Sequence, residues 1–139
     1  MLYETVKACF LYISRTGNTK RLAEAISELL NAPVFDLASL PEPSVAGDFD
    51  LLAIGTPVID MRPTPEVQSF VKHLPECTGK KAILFCTYAI RQGGTLKVLE
   101  KELTQKGYST ILCVSKRGLK LSKADFSDVL QKINRVLEK

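Results

Sequence analysis

Tyr12-Ile13-Ser14-Arg15-Thr16-Gly17-Asn18-Thr19 joins the tail of an apolar stretch to the start of an amphipathic one. Hydroxyls and a single glycine fill the joint. A strand that enters a helix through such a loop offers backbone N–H groups at a helix N-terminus, a tight turn and short hydroxyl donors. That combination suits a phosphate monoester. The loop lacks the lysine of a P-loop, so a nucleoside triphosphate fits it poorly. A plain helix cap by Asn18 or Thr19 competes for the same residues. Their position between a strand and a helix favours the phosphate loop.

Working outward, strand and helix signals alternate to both ends. Val6–Ile13 is nearly continuous in apolar residues after Lys7 and reads as the first strand. Lys20–Leu30 follows as a helix with Leu22, Ile26, Leu29 and Leu30 on one face. Pro33–Leu37 is a short second strand, and Asp50–Ile54 a third that ends at Gly55. Pro65–Leu74 carries Val67, Phe70, Val71 and Leu74 at helical spacing. Lys81–Cys86 is the fourth strand; Thr95–Lys106 is a helix with Leu96, Leu99 and Leu103 inward, stopped by Gly107. Thr110–Val114 is the fifth strand. Lys123–Leu137 is the last helix, burying Phe126, Leu130, Ile133 and Leu137, with Ser122 or Asp125 as its cap.

Apolar strands that alternate with amphipathic helices imply a parallel sheet covered on both faces. Right-handed crossovers then require it to be doubly wound. The second helix is the exception. Ala38–Phe49 holds two prolines and a glycine, room for one helical turn at most, so that element is expected to be vestigial.

The 139 residues, 45% hydrophobic and 24% charged, suit a single α/β domain over 1–139. No apolar run is long enough for a bilayer and Glu4 and Lys7 interrupt any signal-peptide pattern, so a cytoplasmic location is expected. Cys9, Cys86 and Cys113 sit in strand-like apolar runs, where cysteine is expected to serve as a small core side chain, whereas Cys77 lies in a Pro-Glu-Cys-Thr-Gly connection expected to be exposed. Without Cys-x-x-Cys or a Cys/His cluster, metal and dithiol chemistry find no support, and reduced thiols are expected. His73 falls near a helix end and reads as exposed. The formal net charge of +4 is spread along the chain instead of forming a basic stripe, which argues against nucleic acid.

The run Ser14-Arg15-Thr16-Gly17-Asn18-Thr19 resembles the flavodoxin signature, and the element pattern extends the resemblance over the whole chain in its short-chain form. The resemblance implies a five-stranded parallel sheet in the order 2-1-3-4-5, helices on both faces, and FMN as cofactor. Ligands of open α/β sheets lie beyond the carboxyl ends of the strands where the order reverses. Ser14–Thr19, Thr56–Pro65 and Thr87–Gly94 should therefore meet there. By resemblance, Ser14, Thr16, Asn18 and Thr19 take the phosphate through hydroxyl or amide groups, with N–H groups from Arg15 and Gly17. Thr56, Pro57, Val58, Ile59, Asp60 and Met61, with Thr87, Tyr88 and Ala89, frame the ring. Ile59 and Met61 are large and apolar in a water-facing loop, and Tyr88 is an amphipathic aromatic suited to stacking. No acid, base or nucleophile is called for, and no metal.

Two departures from the family pattern carry expectations. Relatives often have an aromatic where Ile59 stands and a glycine at or near Met61. A peptide there can flip towards the one-electron-reduced ring, which often needs φ > 0; Asp60 tolerates that best here, so weaker stabilisation of that state is expected. Arg62 and Arg91 lie on the ring-bordering loops of a chain with pI ≈ 8.9. They favour the anionic two-electron-reduced flavin and a redox partner protein presenting acidic groups. The molecule should be a monomer or weak homodimer with no membrane contact. An FMN-binding electron carrier is the leading function. A small FMN-dependent oxidoreductase acting on NAD(P)H or a quinone, and a non-redox binding module, remain open.

Overall fold

The computed structural model describes residues 8–15, 17–31, 33–37, 43–59 and 61–137. Five strands, β1 (Ala8–Tyr12), β2 (Val34–Asp36), β3 (Leu51–Pro57), β4 (Lys80–Tyr88) and β5 (Tyr108–Arg117), form one sheet. Its order is β2-β1-β3-β4-β5 and every pairing is parallel, as the sequence pattern and the resemblance require. Four helices cover it: α1 (Asn18–Leu30), α2 (Pro65–Lys72), α3 (Thr95–Gln105) and α4 (Ser127–Leu137).

Strand alternation sorts the core into two layers. Cys9, Leu11 and Ile13 face α2 and α3, packing with Val67, Val71 and Leu99. Phe10 and Tyr12 face α1 and α4, packing with Leu22, Ile26, Phe126 and Ile133. Leu51 to Thr56 are all buried, because β3 is central and covered on both sides. Each fully buried Leu, Ile or Phe contributes about 1.5–3 kcal/mol of transfer free energy. Gly55 is required by this packing: a Cβ there would lie 2.0 Å from the Phe85 ring.

Strands run longer than apolar patterning alone gives. β3 continues through Thr56 and Pro57 because β4 keeps pairing as far as Thr87, and the buried threonine hydroxyls find partners there. β5 reaches Arg117, with one register shift against β4 between Ala82 and Ile83. In the second crossover a six-residue 3-10 segment, Pro43–Asp48, replaces the helix; it is longer than the single turn expected. Residues 38–42 of that connection, and residues 6 and 7 of the expected first strand, lie outside the described residues. The last helix opens with a 3-10 turn, Lys123–Phe126, before α4. The Asp125 carboxylate accepts the Ser122 N–H at 2.8 Å and its hydroxyl at 3.0 Å, so these two residues close the turn together. Three burial expectations are corrected. Leu29 is 41% exposed, and Cys113 is exposed because β5 is an edge strand. Cys77 is half-buried, packed against the core layer of α2 and α3.

Candidate functional site

The ends of β1, β3, β4 and β5 share one edge of the sheet. Tyr12 pairs with Gly55, Pro57 with Thr87, and Tyr88 with Arg117. The loops that follow these strands therefore meet.

The first loop is built around Gly17, whose φ of 94° is left-handed and turns the chain into α1. That turn brings N–H groups together: Ser14 Oγ accepts from Gly17 N at 3.0 Å and from Lys20 N at 3.3 Å. By helix geometry the first N–H groups of α1 have no intrahelical acceptor. Those of Asn18 and Thr19 meet none among the described residues. The first turn of α1 carries no acidic side chain, so the positive end of the helix dipole is left uncompensated. Arg15 extends outward, where its Nη2 donates to both Glu66 carboxylate oxygens at 2.9 Å, linking the loop to the first turn of α2. Half-exposed pairs of this kind add little stability. Thr16 lies outside the described residues.

Two expected side-chain roles change. The Asn18 carboxamide faces away from the loop: it donates to the Gly118 and Leu119 carbonyls and accepts from Arg21 Nη2 and Leu121 N. Both amide hydrogens and both oxygen lone pairs are engaged, so the amide is not available as a phosphate donor. The cause is the left-handed glycine before it, which turns residue 18 inward to where the β5–α4 connection needs partners. Thr19 is buried, and its hydroxyl lies 2.8 Å from that of Thr87, tying the first loop to the end of β4.

The second loop is locked by its own backbone. Thr56 Oγ1 donates to the Pro57 carbonyl and accepts Thr64 N, and Val58 N donates to the Thr87 carbonyl. Ile59 and Arg62 exchange two backbone hydrogen bonds of 2.8 and 2.9 Å, a tight hairpin with Met61 at its tip. Asp60 is outside the described residues. Met61 itself has φ 62°, so the left-handed position expected of a glycine, or tolerated by Asp60, is held by a methionine. Ile59 and Met61 stay 40% and 52% exposed. Thr64, missed from sequence, caps α2 by accepting Val67 N.

The third loop presses on the second. A Cβ on Gly93 would lie 2.4 Å from the Met61 Cβ, and its φ of 57° also requires glycine. Tyr88 is half-buried at the end of β4; its carbonyl accepts Gly118 N, and that of Ala89 accepts Arg117 Nε. The loop after β5 is thus a fourth member of the site, which sequence reasoning missed. The adjacency of β5 to β4 in the sheet order is the signal that would have found it. Burial raises the Tyr12 hydroxyl pKa, with Asp36 and Glu24 adding to it. A groove of about 530 Å³ lined by Lys72, Val98 and Lys101 lies between α2 and α3, away from these loops. Among the described residues no His, Cys, Asp and Glu cluster could hold a metal, and no helix is long and apolar enough to cross a membrane.

A family model described as a flavodoxin domain matches residues 9–122, most of the chain. The chain belongs to the flavodoxin family. No curated protein matches it in sequence. Oxidised flavodoxin 1 from Bacillus cereus is similar in structure at TM-score 0.82 and 21% identity, covering 94% of this chain and 97% of that one. A flavodoxin from Streptococcus pneumoniae TIGR4 is similar at TM-score 0.74 and 17% identity, covering 94% of each. Rubredoxin oxygen:oxidoreductase from Desulfovibrio gigas matches at TM-score 0.78 and 19% identity. It covers 99% of this chain and 38% of that one, so this flavodoxin-family fold also occurs inside a larger protein.

Proposed function

We propose that this flavodoxin-family chain binds FMN noncovalently and serves as an electron-transfer protein. One observation carries the reading: the N–H groups of Gly17 and Lys20 converge on Ser14 Oγ at the start of α1. A phosphate oxygen presents the same acceptor with more charge, and the neighbouring N–H groups of Asn18 and Thr19 extend the cradle. The donor set therefore fits a phosphate monoester, held by the Ser14 hydroxyl and by backbone N–H groups from Arg15 to Lys20. Thr16 is assigned to the same cradle by its place in the motif. The Asn18 and Thr19 side chains instead brace the loop from behind.

The other two loops suit an aromatic ring. Ile59 and Met61 present exposed apolar surface, and half-buried Tyr88 offers an aromatic face. Thr56, Pro57, Val58, Thr87 and Ala89 shape that edge through their backbone bonds, and Asp60 is assigned to it by its place in the sequence. When bound, the flavin supplies the one- and two-electron chemistry; the protein supplies position, potential and access.

The test is an absorption spectrum after incubation with excess FMN and desalting. Retained bands near roughly 375 and 450 nm, with quenched fluorescence, are expected of a bound flavin. A colourless protein overturns the proposal. Rapid bleaching by NADPH without a partner protein would move the assignment to a hydride-transferring oxidoreductase.

A further inference from the structure

The same edge exposes two large apolar side chains to which the cofactor reading gives no role. Ile90 is 75% exposed and Leu119 83%. Exposed singly, such residues mean little. Here they join one surface: Gly118 N donates to the Tyr88 carbonyl, Arg117 Nε to that of Ala89, and Gly93 packs on Met61. Hydrogen bonds and contact thus tie Ile90 and Leu119 to the loop that carries Ile59 and Met61. Four water-facing apolar side chains on adjoining loops mark an interaction surface.

Among the described residues of these loops the charged side chains have one sign. Arg62, Arg91 and Lys120 are exposed on these loops, and Arg117 is exposed at the end of β5. Arg91 and Lys120 make no ion pair or hydrogen bond among the described residues. The described carboxylate nearest in sequence to the hairpin, Glu66, is already engaged by Arg15. The whole chain carries +4.

We propose that this face docks an acidic protein, whose carboxylates meet the cationic rim while its apolar centre covers Ile90 and Leu119. The proposal rests on the reading of the chain as an electron-transfer protein and names the chemistry of its partner. Interfaces of this build bury apolar anchors centrally and steer encounter through a charged rim. A second copy of the chain would bring two cationic rims together, and like charges oppose that docking.

The test titrates an acidic plant-type ferredoxin, and separately basic cytochrome c, into the isotopically labelled full chain incubated with FMN. Amide shifts are followed by NMR, and flavin absorbance is recorded in parallel. Ferredoxin should shift residues 59–62, 89–91 and 117–120. The double variant Arg91→Glu, Lys120→Glu should lose roughly tenfold in affinity at low salt, and far less at 1 M salt, where screening is nearly complete. Leu119→Ser should weaken binding with the salt dependence unchanged. Preference for cytochrome c, or no binding of ferredoxin, overturns the proposal. Concentration-dependent shifts at these residues without partner also overturn it, in favour of a second copy. Ferredoxin docking by a chain that releases FMN upholds the surface and removes the electron-transfer reading; FMN retained without docking does the reverse.

Discussion

At the scale of single residues, the hairpin tip is where this chain departs most from a glycine-based design. Met61 holds φ 62°, a region that costs an L-residue roughly 1–2 kcal/mol. The two backbone bonds between Ile59 and Arg62 and the close approach of Gly93 hold it there. Methionine is unbranched at Cβ, so it bears the left-handed conformation better than a β-branched residue does. Met61→Val should therefore destabilise the protein by about 1–2 kcal/mol, whereas Met61→Gly should be within about 0.5 kcal/mol of the parent. In the glycine case the relieved strain offsets the greater freedom of the unfolded chain. Urea melts of the two variants measure this; equal stabilities would show that the hairpin relaxes and that φ 62° is not enforced. The sequence shows that a glycine is missing, but not that the backbone keeps a glycine's conformation. That follows from contacts with residue 93, more than thirty positions away.

Among elements, the junction of α1 with the β5–α4 connection depends on Asn18. Its carboxamide satisfies two carbonyls, one backbone N–H and one guanidinium N–H. Asn18→Ala leaves the buried Leu121 N–H without that acceptor and removes both donors. A loss of about 2–4 kcal/mol is expected, because unsatisfied buried groups cost 1–3 kcal/mol each and exposed ones less. Asn18→Asp keeps the acceptor and should lose less. If Asn18→Ala melts with the parent in denaturant, the clamp carries no stability. The start of α4 gives a pH prediction. Hydrogen bonds from the Ser122 backbone and hydroxyl hold the Asp125 carboxyl below its ordinary value. A depressed folded pKa contributes stability above the unfolded value, near 3.9, that is lost as pH falls through the folded one. Asp125→Asn should lower Tm by about 1–3 °C at pH 7, and the gap should close at acidic pH; a gap unchanged at pH 2 would contradict it. Strand and helix positions were legible because apolar runs and helical spacing are local. Three of the four partners of Asn18 were not, since they lie about a hundred residues away, and neither was the length of β3, set by pairing with β4.

Over the whole molecule, the sign of the charge at the sheet edge bears on the potential of a bound flavin. Arg62 and Arg91 are exposed on the loops assigned to its ring, and the chain carries +4. Adding the second electron creates an anion, so nearby cations favour that step. At a separation of roughly 8 Å in water each would contribute about 0.5 kcal/mol, on the order of 20 mV for one electron. The double variant Arg62→Ser, Arg91→Ser should therefore move the second-electron midpoint negative by on the order of 40 mV at low salt, while the first-electron midpoint moves less. Screening supplies an internal control. The Debye length falls from about 30 Å at 0.01 M salt to about 3 Å at 1 M, so the parent's midpoint should drift negative with salt and the variant's much less. Spectroelectrochemical titration of both proteins across that range reads the effect directly. A variant that keeps the parent's midpoint and salt slope would mean that these arginines act only at the docking surface, leaving the flavin's potential to the buried shell around it.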